Sequence, residues 1–582
     1  MRNLLIPLAV LLSILLFGCG PSKHRPIDVY LTVESEYGSP NPPVGSNYRN
    51  YGTHITASVI SPVLGLTGTR YVCTGWIGTG SAPETGDTNL CQFVITENST
   101  ITWLWKTQYE LSVTASPLDG GTIECLPEGP WYDAETSIQL EAVANPGYCF
   151  VNWSGDLSGT ANPQTLTMDA PKSGTANFIP IFVKTWGGSS GDSLYAVAVD
   201  STGNIYCAGV TYSFGAGGDA LLLKYDSSGT LQWAKTWSGS SWDILSAVAV
   251  DSAGNIYCAG YFGAGYSNAL LLKYDSSGAL QWAKTWGGSS WDILSAVAVD
   301  SAGNIYCAGY TDSFGAGVED ALLLKYNSSG ALAWANTWGG SDSDYLSAVA
   351  VDSAGNIYCA GHTDSFGAGY EDALLLKYNS LGTLQWVMTW GGSDSDRLDA
   401  VAVDSAGNIY CAGFSRSFGT GWADALLLKY NSSGALQWAE TWGDGSGDDL
   451  YAVAVDSAGN VYCAGGTASF GTGGWDALLL KYNSSGTLQL AKTWGGSSTD
   501  WLSAVAVDST GNIYLGGSTD SYTGVWQEVT TGTQRTPSGS ESSPAGTAGS
   551  PSATQTSPTG TQTSPTGSET GAGGYDTLLL RN

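Results

Sequence analysis

The chain has 582 residues, of which 12% are charged, with 51 acidic against 21 basic side chains and a net charge of −30. That length exceeds a single compact core, and the acidity excludes the basic footprint of a nucleic-acid binder. The 23 Trp and 31 Tyr exclude a disordered chain, and 79 Gly with few lysines exclude a coiled coil or helical bundle.

Residues 1–18 read as an export signal: Met1-Arg2-Asn3, an apolar run from Leu4 to Phe17, then Gly18. The run is short of the ~20 residues a membrane span needs. Cys19 follows at once, and Leu16-Phe17-Gly18-Cys19 resembles the bacterial lipobox. That resemblance implies a lipidated Cys19 and an exported protein held at the cell envelope or outer surface by its lipid, with residues 19–27 as a tether. The alternative is an ordinary signal peptide in which Cys19 is incidental.

Two small β modules are expected next, at 28–107 and 108–180. The second starts Tyr109-Glu110-Leu111-Ser112-Val113 and contains Asn152-Trp153-Ser154-Gly155-Asp156, then Met168-Asp169-Ala170-Pro171-Lys172 and Asn177-Phe178. It resembles the divergent internalin B-repeat, an extracellular β module of stalks and adhesion proteins, and 28–107 resembles a more distant relative. Cys73, Cys91, Cys125 and Cys149 fall in this region, and an oxidising compartment favours disulfides. The pairs Cys73–Cys91 and Cys125–Cys149 are expected because each lies inside one module, although spacing alone does not decide connectivity.

From residue 181 the chain repeats itself. Asp-Ser-x-Gly-Asn-Ile/Val-Tyr turns begin at Asp200, Asp251, Asp300, Asp352, Asp404, Asp456 and Asp508, and Thr-Trp ends at Trp186, Trp237, Trp286, Trp338, Trp390, Trp442 and Trp494. Each unit holds four strand-like runs, in the third copy 294–299, 304–310, 320–326 and 332–338, joined by Gly- and Asn-containing turns. Four strands in about 50 residues, repeated, predict the blades of a β-propeller. The segment from Ile181 to Trp186 matches only a fourth strand, and Leu578-Leu579-Leu580-Arg581-Asn582 only a third. The fold class is therefore all-β: a seven-bladed β-propeller closed by an N-terminal outer strand, over 181–582, preceded by the two modules. Thr-Trp-Gly-Gly-Ser, Ala-Val-Ala-Val-Asp-Ser-x-Gly-Asn-Ile-Tyr and Asp-Ala-Leu-Leu-Leu-Lys-Tyr resemble the SBBP β-propeller repeat of bacterial surface proteins, which implies a fold and no activity. Cys207, Cys258, Cys307, Cys359, Cys411 and Cys463 recur once per unit, where the last copy has Leu515, so they read as packed apolar positions. The insert 525–573 of the last unit is rich in Thr, Ser, Pro and Gly, and is expected to be disordered, a spacer or an O-glycan acceptor.

Topology puts two columns of aspartates on one face: Asp192, Asp243, Asp292, Asp344, Asp396, Asp448 and Asp500 before the first strands, and Asp219, Asp320, Asp372, Asp424, Asp476 and Asp576 before the third, with Asn268 in copy two. The first seven are weak candidates for Ca²⁺, which takes several oxygen ligands; turn and ion-pair roles, with Lys224 to Lys481 as partners, or attraction of a cationic partner are the alternatives. On this topology the acidic face points away from the membrane. Trp242, Trp291, Tyr345, Trp422, Trp475 and Trp501 stand at loop positions that vary between copies and suit sugar or protein contacts, or packing between blades. The three histidines, His24, His54 and His362, form no catalytic order with Ser and Asp, and no cofactor motif is found. The expectation is a monomeric, non-enzymatic, lipid-anchored surface protein that binds an unidentified protein or glycan. A propeller hydrolase or lyase acting on polysaccharide, a quinoprotein and a structural envelope component are the other readings.

Overall fold

The computed structural model describes residues 28–582 except 146–147, 216, 240, 522–524, 530–531, 545, 552–557, 559–560, 566–574 and 582. Cys19 and the export signal lie outside the described residues. The chain divides into two units, Met1–Ile179 and Pro180–Asn582. Among the described residues every regular element is a strand, and no helix is long and apolar enough to cross a membrane.

The first unit is organised by one 18-residue strand, Ser99–Ser116. Its N-terminal half pairs with Asp28–Glu34 and Thr69–Thr79, and its C-terminal half with Lys172–Pro180. Alternation puts Ile101 and Trp103 into one core with Leu31 and Ile55, and Leu111 into another with Leu140 and Trp153. The expected boundary between residues 107 and 108 thus falls inside a continuous strand: the modules have separate cores but share a sheet. The expected disulfides Cys73–Cys91 and Cys125–Cys149 are not formed. Cys73 is on Thr69–Thr79 of the large sheet, whereas Cys91 is on Leu90–Ile95 of a separate two-stranded sheet. Cys125 is on a three-stranded sheet, and Cys149 on the edge of the large one.

In the second unit, seven sheets of four antiparallel repeat strands follow one another among the described residues. In blade three these are Asp292–Val299, Ile305–Thr311, Asp320–Tyr326 and Leu332–Gly339. The innermost strands present mostly small side chains such as Ala196, Val248 and Ala400 to a central channel, with Tyr195, Asp399 and Tyr451 among them. The middle strands are buried throughout, as a strand covered on both faces must be.

Each blade buries its faces only against its neighbours. Between blades two and three, Tyr257, Leu271 and Trp286 meet Leu294, Ile305, Cys307 and Leu322. Trp286 lies 5.1 Å from Phe314, centroid to centroid, and the same Trp–Phe contact recurs as Trp338–Phe366 and Trp390–Phe418. The once-per-blade cysteines are fully buried within these clusters. Blade seven takes its outer strand from the start of the unit, with Phe182–Trp186 antiparallel to Asp576–Arg581. Its junction with blade one is built like the others: Trp186, Tyr514 and Leu579 pack on Leu194, Ile205 and Cys207. Arg581 donates across it to the Ser227 carbonyl at 2.7 Å, as Lys325 does to that of Ser380 at 2.9 Å one junction after another.

The insert of blade seven departs from the expected disorder. Its described parts add a fifth strand to the rims of five blades: Val525–Glu528 on blade six, Thr533–Arg535 on five, Ser540–Ser542 on four, Thr547–Gly549 on three and Thr561–Thr563 on one. The physical reason is the outer edge, whose unpaired N–H and C=O groups template another strand whatever its side chains. The insert also has a period that matches the ring. Gly532, Gly539, Gly546, Ala553 and Gly560 recur every seven residues, as do Pro537, Pro544, Pro551, Pro558 and Pro565. In the described parts from blade five to blade three, one heptad serves one blade: about three residues pair with the edge and about four cross to the next rim, a reach set by the ~3.3 Å rise of extended chain. The heptad glycines lie on the rim tryptophans, and a Cβ at Gly532, Gly539 or Gly546 would stand 2.4, 2.2 or 2.4 Å from Trp442, Trp390 or Trp338. Gln534 and Gln562, at the same heptad position, donate to the carbonyls of Gly486 and Gly278.

Gly532→Val should lift the belt from blade five and speed tryptic cleavage after Arg535 by about tenfold or more, since cleavage tracks local opening. The melting of the propeller should barely change. Unchanged cleavage would refute the fit of glycine on Trp442.

Candidate functional site

The Asp-Ser-x-Gly-Asn turns carry a structural role. Asp300 Oδ1 accepts the backbone N–H groups of Ala302 and Asn304, while Oδ2 accepts Asn304 Nδ2 and the Tyr306 hydroxyl. The repeat lysines do not pair with the aspartate columns. They lie over a tyrosine ring of their own blade and donate to a serine carbonyl of the next, as Lys429 does with Tyr410 and Ser484.

The seven candidate Ca²⁺ residues are spread round the ring, one at each junction. All are buried and accept hydrogen bonds from their own blade. Asp344 Oδ2 takes the Gly340 N–H and the Ser365 hydroxyl, each at 2.8 Å, and Oδ1 takes the Thr363 hydroxyl. Asp192, Asp243, Asp292, Asp396, Asp448 and Asp500 likewise accept a backbone N–H from four residues earlier. The structure brings the two columns together in pairs. Asp320 of blade three and Asp344 of blade four flank Gly339, whose Cβ would lie 2.3 Å from one carboxylate and 2.7 Å from the other. Among the described residues, none of the seven belongs to a group of three metal-type donors. The first column therefore clamps loops, and both columns are buried instead of presenting an acidic ring to solvent.

Two cavities form on the same face, where copies differ. A polar cavity of about 350 Å³ lies against blades three to five. Its walls include Tyr310, Tyr345, His362, Asp364, Glu371 and Arg397. Arg397 holds Glu371 through two hydrogen bonds, Nε to Oε2 at 2.6 Å and Nη2 to Oε1. His362 stacks on Tyr345 with centroids 4.7 Å apart. Burial, reinforced by Arg397, pushes His362 well below its ordinary value. Burial and Glu371 push Asp364 up to about 6. Deeper in the channel, burial pushes Asp399 up to about 7 against the pull of Arg397.

The second cavity, about 320 Å³, is aromatic and belongs to blades two and three. It arises from a shortened loop: Ile256–Tyr274 spans 19 residues where Ile305–Tyr326 spans 22. The shortened loop supplies Gly263, Ala264 and Gly265 to the wall beside Trp242 and Trp291, which are 52% and 40% exposed. Tyr261 completes the wall with Ser241 and Ser267, and no charged side chain lines it. Tyr266 braces Trp291 edge-on. Of the other singled-out aromatics, Trp422 is exposed beneath Arg416, and Trp475 and Trp501 stack on each other at 4.5 Å.

Residues 281–315, 337–367 and 487–522 match the family model of the SBBP β-propeller repeat, and residues 111–181 that of the divergent InlB B-repeat domain. The chain carries SBBP repeats and a divergent InlB B-repeat domain. It is 28% identical over 168 residues to the regulatory protein FlaEY of Caulobacter vibrioides, covering 24% of this chain and 18% of that protein, so it spans less than a fifth of that relative's length. The crystal structure of Sqt1 from Chaetomium thermophilum aligns over 60% of this chain and all of its own, at 11% identity and a TM-score of 0.36.

Sequence reasoning missed Arg397, Glu371 and Asp364 as neighbours of His362. Arg397 is found in one copy alone, so a position-by-position comparison of the seven copies could have singled it out, whereas Asp364 and Glu371 repeat Asp312 and Glu319 of blade three. Their convergence needs the ring.

Within the SBBP repeats two classes of aspartate titrate in opposite directions. Burial pushes Asp448 up to about 6, and burial with the neighbouring Asp500 pushes Asp476 up to about 6; Asp292, Asp344 and Asp396 are raised too. The turn residues Asp251, Asp300, Asp352 and Asp404 are also desolvated, but their hydrogen bonds from asparagine hold them below the ordinary value. The raised carboxyls contribute stability that is complete below the unfolded value of about 3.9 and lost as pH rises through about 6. The lowered ones contribute stability present above about 3.9 and lost as pH falls through their folded values. The melting temperature should therefore be higher near pH ~5 than near pH ~7 and fall again below about pH 4. Thermal unfolding at fixed ionic strength checks this; a lower melting point at the more acidic of the first two would contradict it.

Proposed function

We propose that the protein is a non-enzymatic, lipid-anchored cell-surface protein whose propeller binds a neutral glycan at the aromatic cleft of blades two and three. The β-propeller repeats and the similarity to a regulatory protein support a surface or protein-interaction role in general terms. The observation that carries the finer reading is the cleft itself, where a shortened loop leaves the indoles of Trp242 and Trp291 open beside Tyr261 with no charge nearby. Indole faces take the apolar C–H face of a pyranose, while Ser241 and Ser267 offer hydrogen bonds at its edge. The repetition itself speaks against catalysis, which needs distinct groups in distinct roles.

On a glycan array the purified protein should bind neutral oligosaccharides, and Trp242→Ala or Trp291→Ala should each weaken binding by about tenfold or more, as loss of a stacking aromatic does. Their melting points should stay close to that of the parent. Full binding by both variants would remove the cleft from the reading. Turnover of a polysaccharide would replace binding by catalysis.

The anchor is tested separately. Cys19→Ser should move the protein from the detergent-rich to the aqueous phase in phase partition, because one diacyl-type anchor dominates membrane affinity. A variant still in the detergent phase would overturn lipidation at Cys19.

A further inference from the structure

Blade four breaks its repeat in a way that gathers metal-type ligands. At the sixth position of its second strand it carries His362, where the flanking blades have Tyr310 and Phe414. Two residues on is Asp364, and Glu371 closes the same loop. Blade three has the equivalent carboxylates, Asp312 and Glu319, but Tyr310 in place of the histidine. Only blade four combines all three donors.

The fold brings one ligand atom from each of His362, Asp364 and Glu371 within 4.8 Å of one another. A second observation points to a ligand. His362 is 7% exposed, and its Nδ1 is buried with no hydrogen-bond partner, although the ring lines a 350 Å³ polar cavity. A buried nitrogen without a partner is costly, and in a native structure it calls for a specific reason.

We propose that His362, Asp364 and Glu371 bind a divalent first-row transition metal such as Zn²⁺, with its remaining positions open to the cavity. One imidazole and two carboxylates suit Zn²⁺ or Mn²⁺, whereas Ca²⁺ takes oxygen ligands alone. Two donors bound at ~2.1 Å stand at most ~4.2 Å apart, so the set must tighten slightly. Asp364 stands at the exposed side of the set. Arg397 positions Glu371 without saturating it, since each carboxylate oxygen keeps a second lone pair for the metal. Asp399 lies close enough to Arg397 and Glu371 to act on both electrostatically.

The test uses the purified, chelator-treated full chain, titrated with Zn²⁺ by calorimetry and with Co²⁺ by absorbance. One Zn²⁺ per chain is expected, and a Co²⁺ spectrum without a thiolate charge-transfer band, which separates this site from the cysteines. His362→Tyr gives blade four the residue blade three already carries, so the fold should survive, as its melting curve will check. It should weaken Zn²⁺ binding by about tenfold or more, and Asp364→Asn likewise. Absence of one-to-one binding, a thiolate band, or unchanged affinity in both variants would each overturn the proposal.

Discussion

The structure rests on the contact between neighbouring blades. No blade can bury its two faces alone: the Trp at the end of one outer strand lies on the Phe of the next blade, above interleaved Leu, Ile and Cys side chains. A buried tryptophan removes about 150–250 Å² from water, which corresponds to roughly 4–6 kcal/mol at about 25 cal/mol per Å². Such contacts recur round the ring, from Trp186 of the seventh blade against Phe214 of the first onward. This constraint forces the repetition. A position that packs one blade must pack every blade, so Ala-Val-Ala-Val, Ile-Tyr-Cys-Ala-Gly and Asp-Ala-Leu-Leu-Leu return almost unchanged. The residue between the paired aspartates is glycine in six of the seven copies and Ser238 in the other; at Gly339 a Cβ would crowd both carboxylates.

A propeller resolves packing but leaves outer edges, and here the insert of blade seven covers several of them. Its composition is that of a chain unable to build a core, and it builds none. Its stability is borrowed from edges that are already rigid, with glycine where the rim tryptophan stands and Gln534 or Gln562 reaching a turn of the neighbouring blade. The match between a seven-residue period and the blade spacing is what allows one segment to serve successive rims. Covered edges are also protected from pairing with other chains, a general hazard of exposed strands.

Where packing demands sameness, function is found in the departures. Blade two loses three residues from one loop and exposes an aromatic cleft. Blade four gains a histidine beside two carboxylates, and blade five supplies the arginine that steadies one of them. Both places lie on the face formed by the loops between second and third strands, the segments least constrained by the blade contacts. The aspartate columns on that face are conspicuous in the sequence yet lie buried, and those of the first column accept hydrogen bonds from the loops they close.

The sequence by itself determined the repeat, its four strands, the β-propeller class and the buried character of the once-per-blade cysteine, because these follow from local alternation and turn chemistry copied many times. It also marked Trp242, Trp291 and His362 as residues that differ between copies. Three things depended on tertiary structure. Whether the aspartates face water or loops is decided by which donors the fold brings to them. The strands in the described parts of the insert form on blade edges remote in the chain, a partner that no local window of composition contains. The meeting of His362 and Glu371 with Arg397 requires loops of adjacent blades to converge, and only the packing of one blade on the next supplies that distance.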